Sequence, residues 1–237
     1  MYTFDSRIRY SESDGEAKLS LEGLIDYFQD ASTFHSEDLG LGIHYLKEEQ
    51  KLWVLSAWQI VVDRYPAMGE RVVIGTFPYD FKGCFGSRNF FLKSESGEFL
   101  AKANSIWTLL DLQNQRPTKP TPIMLEKYAL EEKLDMEYAP RKIEVPKGGS
   151  TREAILVHRH HLDTNNHVNN GQYVRMAMEY LPEDFKIGQM RAEYKKQALL
   201  GDVLYPQVVL QEGLCVVSLE DAQGAVYVNV EFKKADE

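Results

Sequence analysis

Residues 161–170 read His-Leu-Asp-Thr-Asn-Asn-His-Val-Asn-Asn, so a carboxylate, an amide and an imidazole stand at alternate positions as Asp163, Asn165 and His167. These are the parts for activating a water. An imidazole with an ordinary pKa of about 6.5 has a large neutral fraction near pH 7 to accept a proton, where an unperturbed carboxylate is a weak base. An amide can hold the water or a carbonyl, and a carboxylate can orient the apparatus or attack as a nucleophile. In an extended backbone, side chains two apart share a face, so the spacing predicts that all three converge on one cavity. A helix starting near Asn169 or Asn170 would aim free backbone N–H groups at the same place, a site for a negatively charged oxygen. The plainer reading is backbone geometry alone, since Asp and Asn also gather in turns and caps.

Such a set needs a strand, a turn and a helix to hold it, and the chain supplies that grammar twice. Leu24, Tyr27, Phe28 and Ala31 fall at i, i+3, i+4 and i+7, as do Val174, Ala177, Met178 and Leu181, and each set predicts one apolar helix stripe. Residues 62–72, Val-Asp-Arg-Tyr-Pro-Ala-Met-Gly-Glu-Arg-Val, read like residues 194–204, Tyr-Lys-Lys-Gln-Ala-Leu-Leu-Gly-Asp-Val-Leu. Both predict strand, turn, strand. Gly97 and Gly224 each precede a run rich in aromatic and branched residues, again a turn into a strand. Between the halves, Pro117, Pro120, Pro122, Pro140 and Pro146 lead to Gly148-Gly149-Ser150 and mark a connector. Within it, Ile123 to Tyr138 has the pattern of a short amphipathic helix. The expectation is an internal duplication of class α+β: an N-terminal domain over 1–128, a linker over 129–149 and a C-terminal domain over 150–237, each a curved antiparallel sheet around a central helix. Aligning the helices sets Asp163, Asn165 and His167 opposite Glu12, Asp14 and Glu16. No imidazole occurs there, so the second half alone is expected to carry the chemistry.

The segment Leu162 to Asn170, followed by Tyr173, resembles the signature of the fatty acyl-ACP thioesterases, Asp-Leu-Asp-x-Asn-x-His-Val-Asn-Asn and shortly afterwards Tyr. Leu39-Gly40-Leu41-Gly42 is similar to that family's sequence after its first helix. The resemblance implies two hotdog domains in tandem on one chain. It also implies hydrolysis of a fatty acyl-ACP to free fatty acid and holo-carrier, which ends chain elongation in fatty acid biosynthesis, with no cofactor. The N-terminal hotdog would contribute the acyl-chain pocket, and its supply of Trp53, Trp58, Phe77, Phe81, Phe85, Phe90 and Phe91 suits that role, although strand aromatics are ordinarily plain core. In plant members, adjacent Glu and Cys occupy the strand after the helix, where this chain has Gln197 and Ala198. A cysteine nucleophile at that position is thereby excluded. Gln197 joins Asp163, Asn165 and His167 in the expected catalytic set as a group that positions water without adding charge. Glu193 shares the strand face with Gln197, but four residues back is about 13 Å away, so the carboxylate role falls to Asp163.

The remaining composition narrows the function further. A net charge of −9 leaves no excess of cations to neutralise phosphates, which argues against a general nucleic-acid binder. No apolar run is long enough to span a bilayer, and Met1 to Asp5 has neither a secretory nor a transit pattern, so a cytoplasmic protein is expected. Cys84 and Cys215 read as small buried hydrophobes. His158 and His160 share a strand face in this reading, but no acidic or Cys partner stands at ligand spacing, and no metal is expected. The loop after the first helix, flanked by His35 and His44, lacks the full glycine fingerprint of a phosphate cradle. A hotdog hydratase would show Asp-x-Asn-Pro-x-His, one residue longer and with a proline absent here. A non-catalytic acyl-binding hotdog would be expected to lose the dyad. An acyl-CoA thioesterase stays open as the alternative. An acidic acyl carrier protein needs a basic face, for which Arg152, Arg159, Arg175, Arg191, Lys195 and Lys196 are candidates. Monomer and homodimer are both compatible with the sequence.

Overall fold

The structure, a computed structural model, describes residues 1–235 and divides into two units: Met1–Ser56 with Ile60–Tyr138, and Ala57–Gln59 with the chain from Ala139 on. Each is a hotdog, a helix lying on an antiparallel sheet.

In the first unit, α1 (Leu21–Asp38) starts where Ser20 Oγ accepts the Gly23 N–H. The expected stripe Leu24, Tyr27, Phe28 and Ala31 is wholly buried, and Phe28 meets Phe90 at a ring separation of 5.3 Å. α2 (Ile43–Glu48) follows, and then come β2 (Lys51–Val62), β3 (Arg71–Lys82), β4 (Phe85–Ser94) and β5 (Phe99–Asp111). With β1 (Tyr2–Arg7) they stand in the order β1-β3-β4-β5-β2, and α1 lies against β3 and β1. Register pairs Gly75 with Phe91, whose ring covers the glycine so closely that an added Cβ would sit 2.0 Å from it. The short β6 (Arg116–Pro117) pairs with β5, and α3 (Pro122–Lys127) is capped by Thr121.

The helix expected over 123–138 is confined to α3. Beyond it the chain runs irregularly because partners on the sheet take its polar groups: Asn89 Oδ1 accepts from the Leu134 N–H and the Tyr138 hydroxyl, and Pro78 O accepts the Glu131 N–H. Tertiary hydrogen bonds have overridden a helical pattern worth only tenths of a kcal/mol per residue, about the scale of helix propensity. The change from one unit to the other, at Tyr138 and Ala139, falls inside the expected linker.

The second unit has β7 (Ser150–Thr151), β8 (Ile155–Leu156), α4 (Asn170–Met178), β9 (Ile187–Tyr194), β10 (Val203–Gln211), β11 (Leu214–Glu220) and β12 (Val226–Lys234). Its strand order is β9-β12-β11-β10-β7, with β8 also on β10. α4 is half as long as α1, 9 residues against 18. Consequently the predicted stripe is only partly right: Val174 and Ala177 are buried, but Leu181 lies past the helix end, and Tyr173 and Met176 complete the buried face.

The duplication is visible in hydrogen bonds. Ile8 N donates to Glu70 O at 3.0 Å and Gly69 N to Ile8 O at 2.8 Å; in the other unit Val157 N donates to Asp202 O at 2.9 Å and Gly201 N to Val157 O at 3.1 Å. Both turns place a glycine at φ +86°, the left-handed region that glycine enters freely. Both close with a carboxylate accepting a backbone N–H, Glu70 from Ala67 and Asp202 from Leu199.

Candidate active site

Asp163, Asn165 and His167 lie on one tight loop, not on an extended strand. Leu162 and Val168 bridge across its base, Asp163 N donates to His167 O at 2.8 Å, and Asn166 N donates to Asp163 O at 3.1 Å. Asn166 sits at φ +61°, which asparagine tolerates better than most residues. These side chains therefore do not alternate as on a strand, and turn chemistry explains the backbone. Asp163 Oδ1 accepts the N–H groups of Asn165, at 2.8 Å, and His167, at 3.2 Å. Asn165 is exposed at the tip, Asp163 and His167 are half-buried, and the helix starts at Asn170 as expected.

The His167 ring turns Nδ1 inward, where that atom is buried and has no hydrogen-bond partner among the described residues. Nε2 is then the nitrogen with access to a reactant. Catalytic hydrogen bonds are commonly unmade in a free enzyme. Behind the loop, Asn169 caps α4: its Oδ1 accepts the Gly171 N–H at 2.8 Å, and its carbonyl accepts from Gln172 at 2.9 Å. Two first-turn N–H groups are thus already occupied, which narrows the expected oxyanion site to the Asn170 N–H and side-chain amides.

Gln197 lies outside a strand. β9 ends at Tyr194, and residues 195–199 form an exposed loop whose buried anchor is Ala198. Ala198 ties this loop to the histidine loop by accepting the Val168 N–H at 3.0 Å and donating its own N–H to the Tyr173 hydroxyl at 2.8 Å. The Tyr194 hydroxyl donates to Asn170 O at 3.0 Å. Burial pushes both phenols well above the ordinary tyrosine range, so they act as neutral hydrogen-bonding groups. Sequence reasoning gave neither tyrosine a task, although Tyr173 belonged to the matched motif. Because the strand ends at Tyr194, Glu193 and Gln197 do not share a face. Glu193 is buried elsewhere, accepting from Ile143 N at 3.1 Å and lying 3.4 Å from Asn229 Nδ2.

Two other expectations change. His158, His160 and His161 belong to a 3-10 turn and its cap instead of a strand; their rings cluster, with His160 and His161 4.1 Å apart. Burial, then the neighbouring imidazoles and Arg175, lower the His161 pKa. Among the described residues no group of three or more His, Cys, Asp or Glu could hold a metal ion. Arg191 leaves the basic set: it is buried, pairs with Glu231 at 3.0 Å and donates to Pro140 O and Lys142 O. Lys196 pairs with Asp221 at 2.9 Å, and Lys196, Arg152, Arg159 and Arg175 are all exposed. Cys215 is buried and its thiol is pushed up to about 11, a poor nucleophile near neutral pH.

The alignment of the halves is also corrected. Asp163, Asn165 and His167 correspond to Asp14, Glu16 and Lys18, two residues later than the helix stripes indicated. Asp14 Oδ1 accepts from Glu16 N at 2.9 Å and Lys18 N at 3.0 Å, Ala17 has φ +58°, and Leu19 N donates to Pro66 O just as Val168 N donates to Ala198 O.

Comparison with known proteins agrees with this architecture. A model described as the acyl-ACP thioesterase N-terminal domain matches residues 1–128, and one described as the acyl-ACP thioesterase C-terminal domain matches residues 144–233. The chain is 27% identical, over 83% of its length, to the chloroplastic acyl-[acyl-carrier-protein] hydrolase FATB1 of Cuphea viscosissima. It is 28% identical, over 93% of its length, to the chloroplastic palmitoyl-acyl carrier protein thioesterase of Gossypium hirsutum. It spans about half the length of these curated relatives, 51% and 56%. Its fold matches an acyl-ACP thioesterase from Bacteroides thetaiotaomicron with a TM-score of 0.88 at 21% identity, covering 98% of this chain and 97% of that one. The 12:0-ACP thioesterase of Umbellularia californica gives 0.86 at 19% identity, covering 100% and 97%. With family models spanning both halves and a duplicated hotdog beneath them, the chain belongs to the acyl-ACP thioesterase family.

Proposed function

We propose that this chain hydrolyses the thioester of a fatty acyl-ACP, releasing free fatty acid and holo-carrier and so ending chain elongation in fatty acid biosynthesis. One observation carries the reading: a tight loop presents an imidazole and an amide directly before the first turn of α4, in a chain of this family. His167 Nε2 takes a proton from water as the oxygen attacks the thioester carbonyl. Asn165 and Gln197 hold the water and carbonyl in line, and the Asn170 N–H faces the developing oxyanion. Collapse expels the carrier thiolate, which recovers the proton from His167. Asp163 completes the set.

In this reading residues 150–237 are the catalytic domain, 1–128 form the domain that houses the acyl chain, and 129–149 link them. Arg152, Arg159 and Arg175 offer the exposed positive charge that an acidic carrier requires. The two unpaired cysteines and the acidic composition suit a reducing cytoplasm. The test is release of free fatty acid from a panel of acyl-ACPs against the matching acyl-CoAs. Faster turnover of the CoA esters would reassign the donor, and turnover of neither would leave a non-catalytic acyl-binding protein.

A further inference from the structure

We infer that Asp163 is a positioning residue, which serves hydrolysis by holding the backbone of Asn165 and His167, and that its carboxylate neither attacks the acyl group nor supplies a charge the reaction needs. The inference deepens the proposed function and rests on that reading of His167.

Its basis is a control built into the molecule. The first unit contains the same loop without the chemistry. Asp14 N donates to Lys18 O at 2.8 Å, as Asp163 N does to His167 O at 2.8 Å. In each unit one carboxylate oxygen accepts from the residues two and four places on: 2.9 and 3.0 Å for Asp14, 2.8 and 3.2 Å for Asp163. In each, a residue three places on adopts positive φ, and a side chain six places on, Ser20 or Asn169, caps the following helix. What differs lies at two reagent positions. Where the second unit has Asn165 and His167, the first has Glu16 and Lys18, which pair with each other at 2.8 Å in exposed surroundings. A lysine so paired is a poor base near neutral pH. The aspartate is therefore retained, with the same bonds, in a loop that has no base. Its work in both units is to satisfy two N–H groups that face inward on a five-residue turn, and that work needs an acceptor oxygen at Oδ1, not an ionised carboxyl.

Replacement by Asn keeps this acceptor and removes the charge and the nucleophile. The experiment compares acyl-ACP hydrolysis by Asp163→Asn, Asp163→Ala and His167→Ala, with thermal melting of each and of Asp14→Ala. Asp163→Ala should lose about 100-fold or more in kcat, as a displaced general base does. Asp163→Asn should recover to within about 10-fold of wild type with little change in KM, the remainder reflecting the weaker neutral hydrogen bonds. Asp14→Ala and Asp163→Ala should depress the melting temperature alike. If the amide variant does not fold, Asp163→Ser, whose hydroxyl can close the same turn, takes its place. Equal loss in the conservative and alanine variants, or loss in neither, overturns the inference. Normal hydrolysis by folded His167→Ala would instead overturn the site reading beneath it, and the two failures are distinct.

Discussion

Replacing Tyr173 by Phe would remove one oxygen at the junction of the two loops while leaving the ring in place. Tyr173 is 2% exposed, Ala198 is fully buried, and the hydroxyl accepts the Ala198 N–H at 2.8 Å. Without that oxygen a buried donor is stranded where no water reaches it, and such a group costs about 1–3 kcal/mol. Ring packing against Tyr194, with centroids 6.0 Å apart, is unchanged, so the loss should isolate the hydrogen bond. We expect urea unfolding to show a loss of about 2 kcal/mol with an unaltered denaturant slope. Because Ala198 also fixes Val168, and with it the loop bearing His167, kcat should fall by about tenfold, the equivalent of about 1.4 kcal/mol at the transition state. Tyr194→Phe is the internal comparison. It leaves an acceptor, Asn170 O at the start of α4, with one bond fewer instead of stranding a donor, and under-satisfied carbonyls are better tolerated, so its stability loss should be the smaller. A Tyr173→Phe protein as stable and as active as wild type would refute the claim that this hydroxyl holds the junction.

His167→Ala should lower kcat by about 100-fold or more without unfolding the protein, as measured by fatty acid release beside a melting curve. Gln197→Glu adds a negative charge to the loop tied to the histidine loop, and negative charge favours a protonated base; the acidic limb of the pH–rate profile should then move to higher pH, and an unmoved limb would place residue 197 outside the cluster. His35 is 7% exposed, and its pKa is lowered to about 4 by burial and then by Arg88. The unfolded chain binds this proton first, so His35's contribution to stability is complete above about pH 6.5 and is lost on falling to about pH 4. Thermal melts of His35→Asn should therefore show a shallower decline across that window than wild type; parallel declines would exclude His35 as the cause.

The sequence carried the candidate reacting groups clearly and the backbone beneath them poorly. Asp163, Asn165 and His167 were legible as candidates because few roles other than turn formation bring those types together, and in the proposed site turn and chemistry share the same residues. A period-two pattern has meaning only within a strand, and an Asp whose oxygen can reach two N–H groups ahead of it competes with the strand locally. The duplication was legible from glycine turns and helix stripes, but its register at the loop was not. Stripes repeat every few residues and leave a helix free to slide in an alignment, whereas the caps Ser20 and Asn169 fix where α1 and α4 begin. The segment after α3 looked helical because nothing in its own residues discloses that Asn89, far away in the chain, will take its polar groups. The same blindness applies to Arg191, whose charge suggested a surface and whose partner Glu231 lies on another strand.

The twin loops also divide the labour of natural selection between two kinds of position. At Asp14, Asp163 and the caps, a change that removes the acceptor oxygen is felt as lost stability, and a screen that reports only soluble expression should respond to it. At Asn165 and His167, a change alters the proposed reagents while the loop's scaffold bonds stay in place, and the same screen should be nearly silent. Libraries sorted once for folding and once for fatty acid release should therefore diverge at these two sites and agree around them. The first unit is already such an experiment in miniature, the same frame with a surface ion pair, Glu16 and Lys18, at those two positions.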